Sequence, residues 1–130
     1  MPILSYRDLR IWREGYALVL EIYAVTAKFP SDERFGLISQ MRRAAVSVPS
    51  NISEGFGRTW REQVHFLTIA RGSIHEITCQ CMIAKDLKLA DAERATQLIA
   101  RYDGLSAGVH SAMSQLKRRG EPRPPVTTRT

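Results

Sequence analysis

Apolar residues recur along this chain in steps of three and four, which is the period of an α-helix. Between residues 9 and 29 two such rows lie side by side. They comprise Leu9, Trp12, Tyr16, Val19 and Tyr23 in one row, and Leu18, Ile22, Val25 and Phe29 in the other. Two rows predict a first helix that is buried over a wide arc. Pro30 ends it, because proline has no backbone N–H to continue the ladder.

A second helix is predicted to begin near residues 33–36. Its apolar row comprises Leu37, Met41, Ala45, Val48, Ile52 and Phe56. Pro49 interrupts this helix and removes one backbone donor, which predicts a bend. Because the row stays in phase across Pro49, we expect the helix to continue beyond it.

Two further helices are marked by their caps. Gly55 and Gly57 end the second helix, and Thr59-Trp60-Arg61-Glu62 reads as a capping box for a long third helix. A heptad-like row with steps of three and four runs along that helix and comprises Gln63, Phe66, Ala70, Ser73, Ile77, Gln80, Ala84 and Leu87. Asp91 is a candidate N-cap for the fourth helix, which we expect to fray over residues 117–120. The fourth row comprises Ala95, Leu98, Tyr102, Leu105, Val109, Ala112 and Leu116.

Four amphipathic helices joined by short turns predict an all-α fold, an antiparallel up-down-up-down four-helix bundle. We expect the bundle domain to span residues 1–119. Residues 120–130 contain three prolines and little to bury, so they are predicted to form a disordered tail.

The third helix carries more apolar residues than one buried row requires. Leu67, Ile74 and Cys81 flank the row on one side, and Ile69 and Ile83 on the other. One interpretation is a generously covered core. The other, which we favour, is that one flank meets a second copy in a homo-oligomer.

A polar row runs along the second helix, with Glu76 and Gln80 on the third helix opposite. It comprises Gln40, Arg43, Ser47, Asn51 and Glu54. Such a row either faces solvent or forms a hydrogen-bonded network inside the bundle, where each buried polar group needs a partner. In the second case Arg43 is expected to pair with Glu54 or Glu76.

The charge of the chain permits an acidic partner. The 130 residues carry a formal net charge of +6 with a pI near 9.8, and the basic residues are spread along the sequence without a concentrated block. The side chains that we predict to contact RNA or DNA would neutralise phosphates without reading sequence. They are Arg42, Arg58, Arg61, Lys117, Arg118 and Arg119. The alternative is ordinary solvated surface charge.

No membrane partner is expected, because no stretch reaches the roughly 18 apolar residues of a membrane span. The N-terminus shows no apolar segment behind a basic start, so we expect a cytoplasmic protein. Cys79 and Cys81 are two residues apart on a helix, where side chains do not face each other. Neither an internal disulfide nor a two-cysteine metal clip is expected.

Catalytic chemistry has little support in the sequence. Glu62 and His65 have the spacing that di-iron bundles use, but the motif occurs once and Glu62 already serves the capping box. His75 and Cys79 share a helix face, but two ligands do not complete a zinc site. No G-x-x-x-x-G-K-[ST] phosphate loop and no nucleophile elbow is present in the sequence. We therefore predict no enzyme and no catalytic, cofactor-binding or metal-binding residues.

Three segments resemble a known family. The first covers residues 6–12 and contains YRDL, Ile11 and Trp12. The second contains Phe35-Gly36-Leu37 and then QMRRAAVSVPSNISEG at residues 40–55. The third covers residues 66–76 and contains Phe66, Leu67, Arg71, Gly72, Ser73 and Glu76. Over residues 6–119 the chain is similar to the bacterial 23S rRNA intervening-sequence proteins. That family in turn resembles the accessory variability protein of diversity-generating retroelements, a basic pentameric bundle that binds nucleic acid.

The resemblance implies a four-helix bundle assembled as a ring-like homopentamer. Its recurring positions fall on the polar row and on a seam of small residues, which favours a structural network over solvent exposure. They are Gln40, Arg43, Ala44, Ser47, Asn51, Glu54, Gly55, Ala70, Ser73 and Glu76. The expected function is a non-enzymatic oligomeric scaffold that binds RNA or DNA through phosphates. The alternative is a protein–protein interaction module without nucleic-acid binding.

Overall fold

The computed structural model of the protein describes residues 2–120, and four α-helices account for most of them. These are α1 (Arg10–Thr26), α2 (Ser39–Gly55), α3 (Trp60–Asp86) and α4 (Ala92–Gly120). Residues 2–120 contain no strand. The predicted all-α class with four helices is therefore confirmed. Residues 121–130, which are all of the predicted tail except Gly120, lie outside the described residues.

Contacts between consecutive helices show that they pack antiparallel. Thr26 at the end of α1 meets Arg42 near the start of α2, and Gly55 at the end of α2 lies against Phe66 near the start of α3. Lys85 at the end of α3 donates to Thr96 near the start of α4 at 3.1 Å. The helix ends therefore alternate, and each end of the bundle gathers two N-termini and two C-termini.

The core lies where all four helices face inward. Its largest fully buried side chains are Leu18, Ile22, Met41, Val48, Ile74, Ile77, Cys81, Leu98, Tyr102 and Val109. Burying one such aliphatic side chain contributes roughly 1.5–3 kcal/mol, so this set is a large part of the hydrophobic stabilisation of the fold.

The sequence did not decide which row of α1 faces the core. Leu18 and Ile22, from the second row, are fully buried, whereas Tyr16 and Tyr23, from the first row, are 49% and 42% exposed. The seam between α1 and α4 is largely ionic: Arg101 donates to Glu14 at 2.9 Å, and Arg94 pairs with Glu21. The wide apolar arc of α1 is thus only partly buried within the chain.

The boundaries of α2 and α4 differ from the prediction. Regular α-helix begins at Ser39, after a 3₁₀ turn at Ser31–Glu33 and a π-turn at Arg34–Ile38 in which Gly36 leaves helical geometry. The helix α2 continues through Pro49, as expected. The last turn of α4 does not fray over residues 117–120 but stays helical to Gly120.

The helix caps combine confirmed and missed signals. Asp91 caps α4 as predicted, accepting from the Arg94 N–H at 3.0 Å. At α3 the Thr59 hydroxyl accepts from the Glu62 N–H but also donates to the Glu62 carboxylate, so the second half of the predicted capping box does not form. A complete capping box lies instead at Ser5 and Asp8, before α1.

Gly55 lets α2 and α3 approach closely, which gives a stability prediction. A Cβ at residue 55 would lie 2.9 Å from the Phe66 Cβ, whereas one at Gly104 would meet nothing within 4 Å. We expect Gly55→Ala to lower the free energy of unfolding by about 1–3 kcal/mol. Gly104→Ala, in mid-helix, should raise it by about 0.5–1 kcal/mol. Urea denaturation at equal protein concentrations measures both, and a Gly55→Ala variant as stable as wild type would contradict this packing.

Burial of Cys81 predicts a loss of stability at alkaline pH. Burial raises the pKa of the Cys81 thiol from 9.0 to about 11, so above pH 9 the unfolded chain releases a proton that the folded chain retains. The free energy of unfolding should therefore fall as pH rises from 9 towards 11, by up to about 1.4 kcal/mol per pH unit from this group. Denaturation under reducing conditions should show a shallower fall for Cys81→Ala. The exposed Cys79 is the control, and Cys79→Ala should keep the wild-type slope.

Candidate nucleic-acid interface

One end of the bundle collects most of the net charge of the chain. We call it the basic end and define it as residues 2–13, 54–62 and 116–120, which are the N-terminal region of α1, the α2–α3 connection and the last turn of α4. A cleft of about 250 Å³ lies at this end. It is lined by Leu9 just before α1, Ile52 of α2, Leu67 of α3, and Leu116 and Arg119 of α4. The three segments therefore meet in space although they are far apart in sequence.

Basic residues outnumber acidic residues at the basic end. Its basic residues are Arg7, Arg10, Arg13, Arg58, Arg61, Lys117, Arg118 and Arg119, and its acidic residues are Asp8, Glu54 and Glu62. In the rest of residues 2–120 basic and acidic residues number nine each. The basic end thus holds +5 of the formal +6. The even spread of charge along the sequence does not correspond to an even spread in the fold.

Five of the six predicted contacts lie at the basic end, and Arg42 does not. Arg42 is near the start of α2 at the opposite end, where its Nε donates to the Thr26 hydroxyl at 2.9 Å and its guanidinium lies over the Tyr23 ring. This arrangement fixes the α1–α2 contact. A structural role therefore accounts for Arg42 within the chain.

Arg58 differs from its neighbours because it is already paired. Its guanidinium contacts the Glu54 and Glu62 carboxylates at 3.2 and 3.3 Å, and its Nε donates to the Glu54 carbonyl at 2.7 Å. It joins the end of α2 to the start of α3. Two nearby carboxylates leave Arg58 less able to neutralise a phosphate than an unpaired arginine.

Four exposed cations of the basic end lie on α3 and α4. Arg61 lies over the Trp60 ring at 5.2 Å, and Lys117, Arg118 and Arg119 are exposed in the last turn of α4, beside Trp60. Within residues 2–120 none of these four side chains makes a salt bridge. Cations at a helix C-terminus are also favoured by the helix dipole. The geometry provides a cluster of charges that can bind phosphates.

Sequence reasoning missed three arginines at and just before the start of α1. Arg7, Arg10 and Arg13 enter the basic end because α1 begins where α3 begins. Arg13 also donates to the Asp8 carbonyl at 2.8 Å, which holds the turn before α1 in place. Counting charges by helix end, with the antiparallel order already predicted, would have found them.

The predicted polar network forms only in part. Ser47 and Ser73 share a hydrogen bond of 2.8 Å between α2 and α3, and the Asn51 amide donates to the Ser47 hydroxyl at 3.0 Å. The Gln80 amide donates to Glu76 at 3.4 Å. The serine–asparagine cluster therefore joins the two helices at mid-bundle.

The expected ion pair of Arg43 is not formed within residues 2–120. Glu54 pairs with Arg58 instead, and Gln40, Arg43 and Glu76 are exposed. The reason is that the outer part of the α2 row turns away from α3, and only Ser47 and Asn51 reach the seam. The row is thus divided between a small, partly buried cluster and a solvent-facing edge.

The other candidate ligand residues do not come together in the fold. Among residues 2–120, no three His, Cys, Asp or Glu side chains are close enough to hold a metal ion. In the same part of the chain, no helix has the length and apolar character needed to cross a membrane.

The four helices and their antiparallel packing define an all-α bundle protein with a basic end. The sequence model for the 23S rRNA-intervening sequence protein matches residues 7–111, which is most of the chain. The chain therefore belongs to this family, and the resemblance noted over residues 6–119 is confirmed by this match. A comparison with curated proteins found no match.

The serine pair between α2 and α3 gives a test of the seam. This hydrogen bond is partly buried, so Ser47→Ala and Ser73→Ala should each lower the free energy of unfolding by about 0.5–1.5 kcal/mol. The double variant should cost less than the sum, with a coupling of about 0.5–1.5 kcal/mol. Urea denaturation of the four proteins gives the coupling. Strict additivity would show that the two hydroxyls do not interact.

Proposed function

We propose that this protein is a non-enzymatic, homo-oligomeric scaffold of the cytoplasm that binds RNA or DNA through phosphate contacts at its basic end. The observation that carries the proposal is the concentration of +5 of the formal +6 charge at that end. Lys and Arg side chains that neutralise phosphates release counterions, which favours binding without sequence recognition. Membership in the 23S rRNA-intervening sequence protein family is compatible with this role.

The oligomeric part of the proposal has separate support. Large apolar side chains of α1 and α3, among them Tyr16, Tyr23, Ile69 and Ile83, are each at least 40% exposed. Exposed apolar groups of this size, here on the two helices that flank α2, are typical of subunit interfaces. The ring-like homopentamer that the family resemblance implies is the assembly we propose. A ring would repeat the basic end in each copy, and several weak phosphate contacts would then act together.

Charge reversal at the basic end tests nucleic-acid binding. Arg61→Glu combined with Arg118→Glu should weaken binding of a mixed-sequence RNA at least tenfold and reduce the slope of affinity against salt. The control is Lys28→Glu combined with Lys88→Glu, which changes the net charge equally but at the opposite end. Fluorescence anisotropy between about 50 and 200 mM salt measures both, over the range in which phosphate-driven affinity falls steeply.

Two outcomes would contradict the proposed binding. One is an equal loss of affinity in both double variants, which would mean that only overall charge matters. The other is no measurable binding of RNA or DNA by the wild type at low salt. A clean oligomer without nucleic-acid affinity would favour the alternative function, a protein–protein interaction module.

A further inference from the structure

An apolar groove with aromatic walls lies open between α1 and α2. We call it the aromatic groove and define it by Trp12, Tyr16 and Tyr23 of α1 and Arg43 and Val46 of α2. Trp12 stacks on Tyr16 with ring centroids 5.1 Å apart. Two clefts of about 290 and 480 Å³ run along the groove and share Val46 as a lining residue. Pre-stacked aromatic rings offer a large contact area at little cost in side-chain entropy.

A second unpartnered surface lies along the outer side of α3. We call it the α3 ridge and define it by Ile69, Glu76, Ile83 and Leu87. The first three are spaced by seven residues and therefore share one helix face. Ile69 is 40% exposed and Ile83 is 43% exposed. Gly72 lies between them with open space around its Cα, which leaves room for a neighbouring backbone. The ridge is a straight apolar strip with one carboxylate at its centre.

The two surfaces complement each other in charge. Within residues 2–120 Arg43 of the aromatic groove makes no salt bridge, and Glu76 of the α3 ridge accepts only a long hydrogen bond, 3.4 Å, from Gln80. Pairing the groove with a second groove would bring Arg42 and Arg43 of one chain towards Arg42 and Arg43 of the other. Pairing the ridge with a second ridge would do the same for Glu76. Like charges at an interface disfavour both self-pairings.

We infer that the aromatic groove of one copy receives the α3 ridge of the next, with Arg43 of one copy paired to Glu76 of the other. The inference rests on the homo-oligomer proposed above and names the faces that build it. The groove and the ridge are separate surfaces of one chain, on either side of α2. Each copy can therefore meet one neighbour through its groove and another through its ridge. Such head-to-tail contacts form a closed ring when the rotation between copies closes.

Single substitutions on either face should dissociate the assembly. Tyr16→Glu and Ile83→Glu should each reduce the mass measured by light scattering to that of one chain, 14.7 kDa. Met82→Glu is the matched control, because Met82 is next to Ile83 and 55% exposed but lies off the ridge. It should keep the wild-type mass. Circular dichroism checks that all three variants remain helical.

Mixing the two dissociated variants separates head-to-tail pairing from self-pairing. The Tyr16→Glu chain retains an intact ridge and the Ile83→Glu chain an intact groove, so at high concentration the mixture should form one-to-one dimers and no larger species. Self-pairing of either face predicts instead that one of the two variants associates without the other. That result would overturn the inference.

A charge exchange tests the ion pair that joins the copies. Arg43→Glu and Glu76→Arg should each lower the affinity between copies at least tenfold, and the double variant should regain the wild-type mass. Because Arg43 and Glu76 do not pair within one chain, recovery requires contact between copies. A double variant that stays dissociated would overturn the inference.

The proposed function can fail or survive independently of these faces. A wild-type protein that is a monomer at all concentrations would refute the oligomer itself, and with it the head-to-tail contact. An oligomer that is unaffected by Tyr16→Glu, Ile83→Glu and the charge reversals would refute only the faces named here. None of these residues lies at the basic end, so the RNA titration reports on nucleic-acid binding separately.

Discussion

Two short connections constrain much of this structure. Only four residues separate Gly55 from Trp60 and five separate Asp86 from Ala92, so α3 and α4 must each reverse direction and pack against the helix before them. Thr59 and Asp91 start α3 and α4 at these turns by capping their first N–H groups. The antiparallel order then decides which residues become neighbours. It brings the start of α1, the end of α2, the start of α3 and the end of α4 to one end of the bundle.

The same constraint explains why charge spread evenly in sequence is uneven in space. Arg7 lies just before the start of α1, Arg61 lies at the start of α3 and Arg118 lies in the last turn of α4, and the topology places all three together. Arg58 is held by two carboxylates and supports the α2–α3 junction, while the exposed cations of α3 and α4 remain available to an anion. The structural and the proposed binding roles are thus divided among arginines that look equivalent in the sequence.

Sequence reasoning captured the fold because helix periods and caps are local signals. Four apolar rows, the Asp91 cap and the continuation through Pro49 all depend on residues a few positions apart. It could not choose which row of α1 faces the core, because Leu18 and Tyr16 are both apolar and only the packed partners decide. It also could not foresee that Glu54 would pair with Arg58 rather than Arg43, since that depends on how far the outer edge of α2 turns away from α3. A sum of charges along the chain does not show the basic end, because its cations belong to three segments that only the packed helices bring together.

The most direct test of the basic end as a binding surface is hydrogen–deuterium exchange of the full chain with and without a mixed-sequence RNA. Binding as proposed predicts slower exchange in peptides that cover residues 2–13, 54–62 and 116–120, with little change at the α1–α2 connection and the α3–α4 connection. Protection confined to those two connections, at the opposite end of the bundle, would contradict the proposed binding surface.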